Sequence, residues 1–383
     1  MDRIDPADRR RAHIAVGAPE LWAQRAGRAY DTMQRRFCAP DGRYRRDGRR
    51  PALSLPGSAA HLWPFIRAFV ATLDLAGVRA APALPAHGDA AIGRRLDALE
   101  RYWDRRGPHP AYASDRPGTL RVGDRYYDDN AWVGLALVQL ERMRPGTSRP
   151  DRAAAIVQFA LAGWDRSGRR PHPGGVFWVE QGRGTGRRNH DRNTVSTAPI
   201  AQLALHLAQL GGASLPARLS PEPDEMYAWV NAALDAGRDG EQPGTGLYWD
   251  KLRGDGTVDR AQWSYNQGSM VGLNVLLARR GPGGPAYLAR AEAIARRALA
   301  HYASAGYDSQ PAAFNAIFFR NLLTLHAATA DTALRADIRS AMAGCADRLW
   351  QQRRDDVDLL DHSALVSICS LLAWDERDYA LLA

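Results

Sequence analysis

Two adjacent carboxylates, Asp128 and Asp129, stand in the run Tyr126-Tyr127-Asp128-Asp129-Asn130-Ala131-Trp132, between aromatic residues and at the start of a helix-like pattern. These residue types suit chemistry at a glycosidic bond. One carboxyl group protonates the leaving oxygen, a second attacks the sugar or activates water, and flat rings stack on the sugar faces. Consecutive Cα atoms lie about 3.8 Å apart, and side chains diverging from them can hold carboxyls roughly 5 Å apart, the separation that accompanies retention of configuration. Inversion needs a wider gap. A purely structural role competes with this chemistry, because Asp is a favoured helix N-cap and a common turn residue. A cap does not need the surrounding rings and amides, and they favour a ligand.

The segment Trp263-Ser264-Tyr265-Asn266-Gln267-Gly268 places a ring, amides and hydroxyls at the start of another apolar helix pattern. Such groups suit sugar hydroxyls, while Ser264 with Gln267 three residues on also has the form of a capping box. Just upstream, Leu247-Tyr248-Trp249-Asp250 and Gly254-Asp255-Gly256 read as a turn-rich hairpin that either presents Trp249 to a cleft or plugs it into the core. In Gly174-Gly175-Val176-Phe177-Trp178 the glycines allow close backbone approach to a ligand. Gly182 to Gly186 lacks the lysine and Ser/Thr of a phosphate-binding loop. His190 with Asp191 could move a proton, but their loop is charged throughout, as a solvated surface would be. The acidic run from Asp355 to Asp361 invites comparison with the magnesium motifs of terpene synthases. With no second metal motif, it reads better as charge at a helix N-terminus.

Positioning these groups falls to helices. Apolar residues recur three and four apart through most of the chain and two-residue alternation is scarce. The pattern predicts helices near 18–37, 58–77, 87–103, 129–143, 150–164, 193–210, 222–236, 264–279, 285–303, 312–330, 333–350 and 362–374. Short links alternate with long ones rich in Gly, Pro, Arg and aromatics, notably 104–128, 165–192 and 237–263. Structureless loops of more than about 12 residues are usually functional or disordered, and these carry too many aromatic residues for disorder. The expected architecture is all-α: six helical hairpins closed into an (α/α)6 barrel, with the long loops building a cleft at one end. The Pro-rich stretch Ala80 to His87 reads as an interhelical loop. No linker divides residues 1–383, so one domain is expected, preceded by a mobile arm at 1–15.

Composition narrows the function classes. With 45% hydrophobic and 24% charged residues, the chain is of the soluble globular type. The net charge of +9 comes almost wholly from scattered arginines, Lys251 being the only lysine. No basic block alternates with aromatics and no nucleic-acid motif is present, so no nucleic-acid partner is expected. No apolar run is long enough for a membrane span. Cys38, Cys345 and Cys369 are widely spaced and odd in number, which points to reduced thiols. The charged start lacks an apolar signal region, so a cytoplasmic protein is expected unless a leader has been removed.

On Leu62-Trp63-Pro64, Tyr127-Asp128-Asp129-Asn130-Ala131-Trp132, Gly174-Gly175-Val176-Phe177-Trp178, Asn193-Thr194-Val195-Ser196, Trp263-Ser264-Tyr265-Asn266-Gln267-Gly268 and Phe318-Phe319-Arg320, the chain resembles glycoside hydrolase family 76, the bacterial and fungal α-1,6-mannanases. The resemblance implies an (α/α)6 barrel and a retaining, endo-acting α-mannosidase, with Asp128 as nucleophile and Asp129 as general acid/base. It also implies a substrate-binding set of Trp63, Tyr127, Asn130, Trp132, Trp178, Asn193, Trp249, Tyr265, Asn266 and Gln267. The expected partner is an oligosaccharide or polysaccharide, with no cofactor or metal required and a monomer as the default. The chain departs from the family pattern near Ser196, where a second Asn is expected, and in the basic loop 180–192. There, Arg183, Arg187, Arg188 and Arg192 would favour an anionic or phosphorylated glycan. Other readings are an epimerase like N-acylglucosamine 2-epimerase, an unsaturated glucuronyl hydrolase, or a non-catalytic carbohydrate-binding member of the fold. The epimerase chemistry leans on histidines, and these motifs hold no His cluster.

Overall fold

The computed structural model describes residues 17–48, 59–81, 83–115, 123–211, 219–237, 247–281, 283–354 and 357–383. The expected arm at 1–15 lies outside the described residues, as do Asp355 and Asp356 of the acidic run. The helices are α1 (Pro19–Phe37), α2 (Leu62–Ala76), α3 (Ala83–Leu99), α4 (Tyr127–Met143), α5 (Pro150–Ala162), α6 (Thr194–Gln209), α7 (Pro223–Leu234), α8 (Ser264–Ala278), α9 (Gly284–Ala305), α10 (Ala312–His326), α11 (Thr332–Gln352) and α12 (Leu359–Ala373). The even-numbered helices pack each against the next, and α12 returns to α2, closing an inner ring. Outside it, α3 lies on α2, α5 on α4, α7 on α6, α9 on α8 and α11 on α10, while α1 covers α12. Five hairpins are thus continuous in sequence, and the sixth joins the last helix to the first. The expected (α/α)6 barrel is the architecture found.

The two rings follow from their residue patterns. In α8 every residue from Ser264 to Leu277 is buried, as an apolar helix enclosed on all sides must be. The outer α9 buries Ala291, Ile294, Ala295, Ala298, Leu299 and Tyr302, a single stripe at helical spacing. Close packing in the inner ring also explains Gly268. A Cβ there would lie 2.7 Å from Phe318 Cα on α10, so only glycine lets α8 and α10 approach this closely.

Three helices differ by four residues from the pattern-based reading, the tenth ending at His326 rather than 330. The second helix begins at Leu62 rather than 58. The third spans Ala83–Leu99 rather than 87–103, so half of the Pro-rich stretch is helical. Pro85 falls in the first turn, where its missing N–H forfeits no intrahelical bond. The far end of α3 unwinds through a 3-10 turn, Glu100–Tyr102, into a short strand that periodicity over so few residues could not reveal. That strand, β1 (Trp103–Asp104), pairs antiparallel with β2 (Ala111–Tyr112). In the other long loops, β3 (Arg192–Asn193), β4 (Lys251–Leu252) and β5 (Val258–Asp259) form an antiparallel sheet in that order.

Deep inside the barrel three inner helices are tied by one polar network. Arg320 on α10 donates to both carboxylate oxygens of Asp74 on α2, each at 2.5 Å, and also to Gln139 Oε1 on α4. Gln139 Nε2 donates to Asp74 Oδ1 at 3.1 Å. All three side chains are buried. Removing one partner leaves an uncompensated buried charge, a loss of about 3–5 kcal/mol. Arg320→Met is therefore expected to lower the unfolding free energy by about that amount in urea titration. A loss below about 1 kcal/mol would show that the network does not join the helices energetically.

Candidate active site

Because the chain alternates between rings, all inner helices point their N-termini at the same end of the barrel, and the long loops arrive there. A cleft of about 500 Å³ opens at that end. Its walls come from the starts of five inner helices: His61, Trp63 and Pro64 at α2, Asp128, Asp129 and Trp132 on α4, Val195 on α6, Tyr265 on α8, and Phe314 on α10. Tyr126, Trp178 and Ser114 close it from the loops. The rings occur in pairs, with centroids 6.5 Å apart for Trp63 and Trp132, 4.8 Å for Tyr126 and Trp178, and 4.0 Å for Tyr265 and Phe314. Such faces offer the stacking surfaces that sugars use.

The two aspartates lie in the first turn of α4, whose N-cap is Tyr126. Their environments differ. Asp128 Oδ1 accepts from the Asp129 backbone N–H at 3.0 Å, and its Oδ2 accepts from Trp178 Nε1 at 3.2 Å. No donor among the described residues reaches the Asp129 carboxyl, which has burial and the neighbouring charge of Asp128 to contend with. Burial raises the pKa of Asp128 above the ordinary carboxylate range, the two hydrogen bonds pull it back, and the charge of Asp250 adds to the rise. Burial and then Asp128 raise Asp129 well above that range. Two carboxyls this close resist double ionisation, so the pair keeps one proton, and the group without donors is the better place for it.

Arg125 fixes the approach to this turn. Its buried guanidinium pairs with Glu180 and donates to the carbonyls of Arg106 and His109, each at 3.0 Å, tying three loop segments together immediately before Tyr126. Trp178 is registered on the same turn, since the Tyr127 N–H donates to its carbonyl at 3.0 Å.

Of the residues expected at the ligand, Asp128, Asp129, Trp63, Trp132, Trp178 and Tyr265 come together in the cleft. The others lie behind it. Tyr127 stacks on Phe159 with centroids 4.5 Å apart. Asn130 spends its amide on both backbone groups of Tyr112 and on the Tyr126 carbonyl, fastening β2 to α4. Gln267 does the same for Tyr248, and does not form the capping box with Ser264, because Trp263 is the N-cap. Asn193 is the buried N-cap of α6. Trp249 is buried beneath Arg260. Asn266 is buried and donates to Asp250. Gly174 and Gly175, both at positive φ, approach the ring of Trp229 and no ligand space. In the basic loop, Arg192 is buried and paired with Asp165, and Arg183 pairs with Glu180, which leaves Arg187 and Arg188 as its exposed cations. His190 bonds Gln181, and Asp191 pairs with Lys251 at 3.3 Å.

Sequence reasoning passed over His61, Ser114, Phe314 and Asp250. His61 stands between Asp115 at 2.9 Å and the guanidinium of Arg46 at 2.5 Å, on the lip of the cleft. Nothing local marks an acid that meets Tyr265 and Asn266 only through the fold.

The family model of glycosyl hydrolase family 76 matches residues 107–363, which include the aspartate pair. Among solved structures, a GH76 α-mannanase from Bacteroides thetaiotaomicron is similar in fold: 16% identity, 94% of this chain and 97% of that one covered, TM-score 0.75. Another is an inactive variant of the α-1,6-mannanase of Salegentibacter sp. HEL1_6, with two consecutive aspartates replaced by alanine and α-1,6-mannotetrose bound (16% identity, coverage 92% and 98%, TM-score 0.67). The cellobiose 2-epimerase of Spirochaeta thermophila is also similar in fold, at 10% identity, coverage 92% and 96%, and TM-score 0.58. No curated protein matches the sequence. The family match spans more than half of the chain and agrees with the barrel and its cleft: the chain belongs to glycosyl hydrolase family 76.

Proposed function

We propose that the protein hydrolyses α-1,6-linked mannan or mannooligosaccharides with retention of configuration, Asp128 acting as nucleophile and Asp129 as general acid/base. The observation that carries this reading is the unequal pair at the foot of an aromatic-walled cleft. Asp128 receives two hydrogen bonds that favour its anion, whereas Asp129 receives none and is raised further. The Salegentibacter enzyme, inactive without two consecutive aspartates and holding an α-1,6-mannotetrose, supports a paired-aspartate site and the substrate.

In this mechanism Asp129 gives its proton to the glycosidic oxygen as Asp128 attacks the anomeric carbon, and the C–O bond to the leaving sugar breaks. Asp128 then carries the glycosyl group as an ester. The now ionised Asp129 takes a proton from water, whose oxygen attacks the anomeric carbon and releases Asp128. Two displacements restore the α-configuration. The paired rings hold the sugars flanking the bond and keep water from the carboxyls until the leaving sugar departs.

Asp128→Asn and Asp129→Asn should each lower hydrolysis of α-1,6-mannotetraose by about 10³-fold or more, and NMR of the wild-type reaction should show the α-anomer as the first product. Near-normal turnover by either variant, or a β-anomer first, would refute the assignment. The pH–rate profile should be bell-shaped: inactive at low pH with both carboxyls protonated, active with one proton, and inactive again once both are ionised.

Stability should move the other way. Both carboxyls hold their protons to higher pH when folded than when unfolded. Their cost is therefore absent below the ordinary aspartate pKa of about 3.9 and grows as pH rises toward the folded values. At pH 7 Asp129→Asn should melt above wild type by about 1–2 °C, the shift that ~1 kcal/mol produces in a chain of this length, and the difference should vanish near pH 3. An Asn variant that melts below wild type at pH 7 would show that the pair is not destabilising.

A further inference from the structure

Asp250 is a third carboxylate beside this site, bonded to the cleft-lining Tyr265 and close enough for its charge to act on Asp128, and the proposed mechanism leaves it unused. It lies on the turn before β4, where its backbone is fixed on both sides: its N–H donates to the Asp259 carbonyl at 3.1 Å and its carbonyl accepts from the Thr194 N–H at 2.9 Å. The side chain is held as firmly. Oδ1 accepts from Tyr265 Oη at 3.2 Å and from Asn266 Nδ2 at 3.1 Å. Oδ2 receives no donor from the described residues, yet it is not sealed from solvent, although the residue as a whole is only 7% exposed. The phenol that grips Oδ1 lines the cleft. A buried acid with one oxygen clamped and the other open and unpaired is a rigid group that can only accept.

The elements place it opposite the catalytic pair. Asp128 and Asp129 begin α4, Tyr265 and Asn266 begin α8, and both helices pack against α6, whose Val195 forms the cleft wall between them. A sugar ring seated over the pair and against the Tyr265 ring would have one edge toward Asp250. That edge carries hydroxyl groups, and the free oxygen needs a donor.

We propose that Asp250 is a substrate-binding and specificity-determining residue, whose Oδ2 accepts a hydrogen bond from a ring hydroxyl of the sugar bound over Asp128. Tyr265 and Asn266 position that oxygen by holding the other. This inference rests on the mannan reading above. It explains why the Tyr-Asn segment opens an inner helix: its polar groups reach the substrate through the carboxylate they orient. Anchored from both sides, the carboxylate loses little freedom when the sugar binds.

The test measures binding in a background that does not turn over. Calorimetric titration of α-1,6-mannotriose into Asp128→Asn is compared with the same titration into Asp128→Asn/Asp250→Asn. Affinity should fall about 10- to 100-fold in the double variant, as expected for a lost hydrogen bond to a charged group. A series of monodeoxy mannotrioses should contain one member that binds Asp128→Asn weakly by a similar factor, and its deletion should make no difference once Asp250 is replaced. Equal binding of the intact sugar to both proteins overturns the role of Asp250 alone. Absence of binding to either overturns the mannan reading and this inference with it. Should Asp250→Asn fail to fold, as judged by its melting transition, Tyr265→Phe replaces it. That change removes one donor to Oδ1, keeps the ring in the wall, and should weaken binding several-fold. Unaltered affinity would again overturn the assignment.

Discussion

The common direction of the inner helices is the constraint on which the rest of this structure depends. Each outer helix carries the chain back, so every inner helix starts at the same end of the barrel and its first turn faces the same space. Residues as distant in sequence as Trp63, Asp128, Val195, Tyr265 and Phe314 meet there for that reason alone. The same geometry brings together the positive ends of the helix dipoles, which favour negative charge. A barrel of this kind is therefore well suited to carboxylates at its mouth.

That electrostatic support is set against burial. Aromatic walls limit the access of water to the half-buried Asp128 and Asp129, and desolvation is the leading cause of their raised pKa values. The dipole favours both anions, whereas the two donors offset part of the burial on Asp128 alone. The asymmetry is a matter of placement: Asp128 precedes Asp129 in the turn, so its oxygen can accept the next N–H, and the Trp178 indole meets it from the loop. Arg125 and the bond from Tyr127 to Trp178 keep that indole in reach. Further down the axis the charge of Asp74 is neutralised outright by Arg320. The barrel thus leaves the two carboxylates of the cleft without cationic partners and pairs the one buried beneath them.

Much of this was legible in the sequence, and the parts that were not share a cause. Helices twelve to twenty-two residues long announce themselves by periodicity, which is why all twelve could be placed within a few residues. The two-residue strands carry no period at all. The pairing of α1 with α12 was likewise invisible, because the two segments lie at opposite ends of the chain. At the site, rings and acids in one short motif pointed to a ligand, but the motif could not show which side of the helix each residue takes. Tyr127 and Asn130 flank the aspartate pair in sequence and turn away from it in space, one to Phe159 and the other to Tyr112. Asp250 is the converse case: its carboxylate is held by Tyr265 and Asn266, fifteen and sixteen residues on.

The likeness to a cellobiose 2-epimerase shows how little of the chemistry resides in the fold itself. A barrel with all its inner N-termini at one mouth positions whatever its first turns carry, and it neither requires nor excludes a given reaction. Epimerisation by proton abstraction needs a base beside a carbon acid. The one histidine lining this cleft among the described residues, His61, is engaged by Asp115 and Arg46 on the lip. Beside it stand two adjacent carboxyls that resist double ionisation, a pair that suits glycosidic cleavage better than proton abstraction from carbon. Substituting first-turn residues could therefore redirect such a barrel without touching its core, because the inner ring that sets their positions is held by buried contacts one or more turns below.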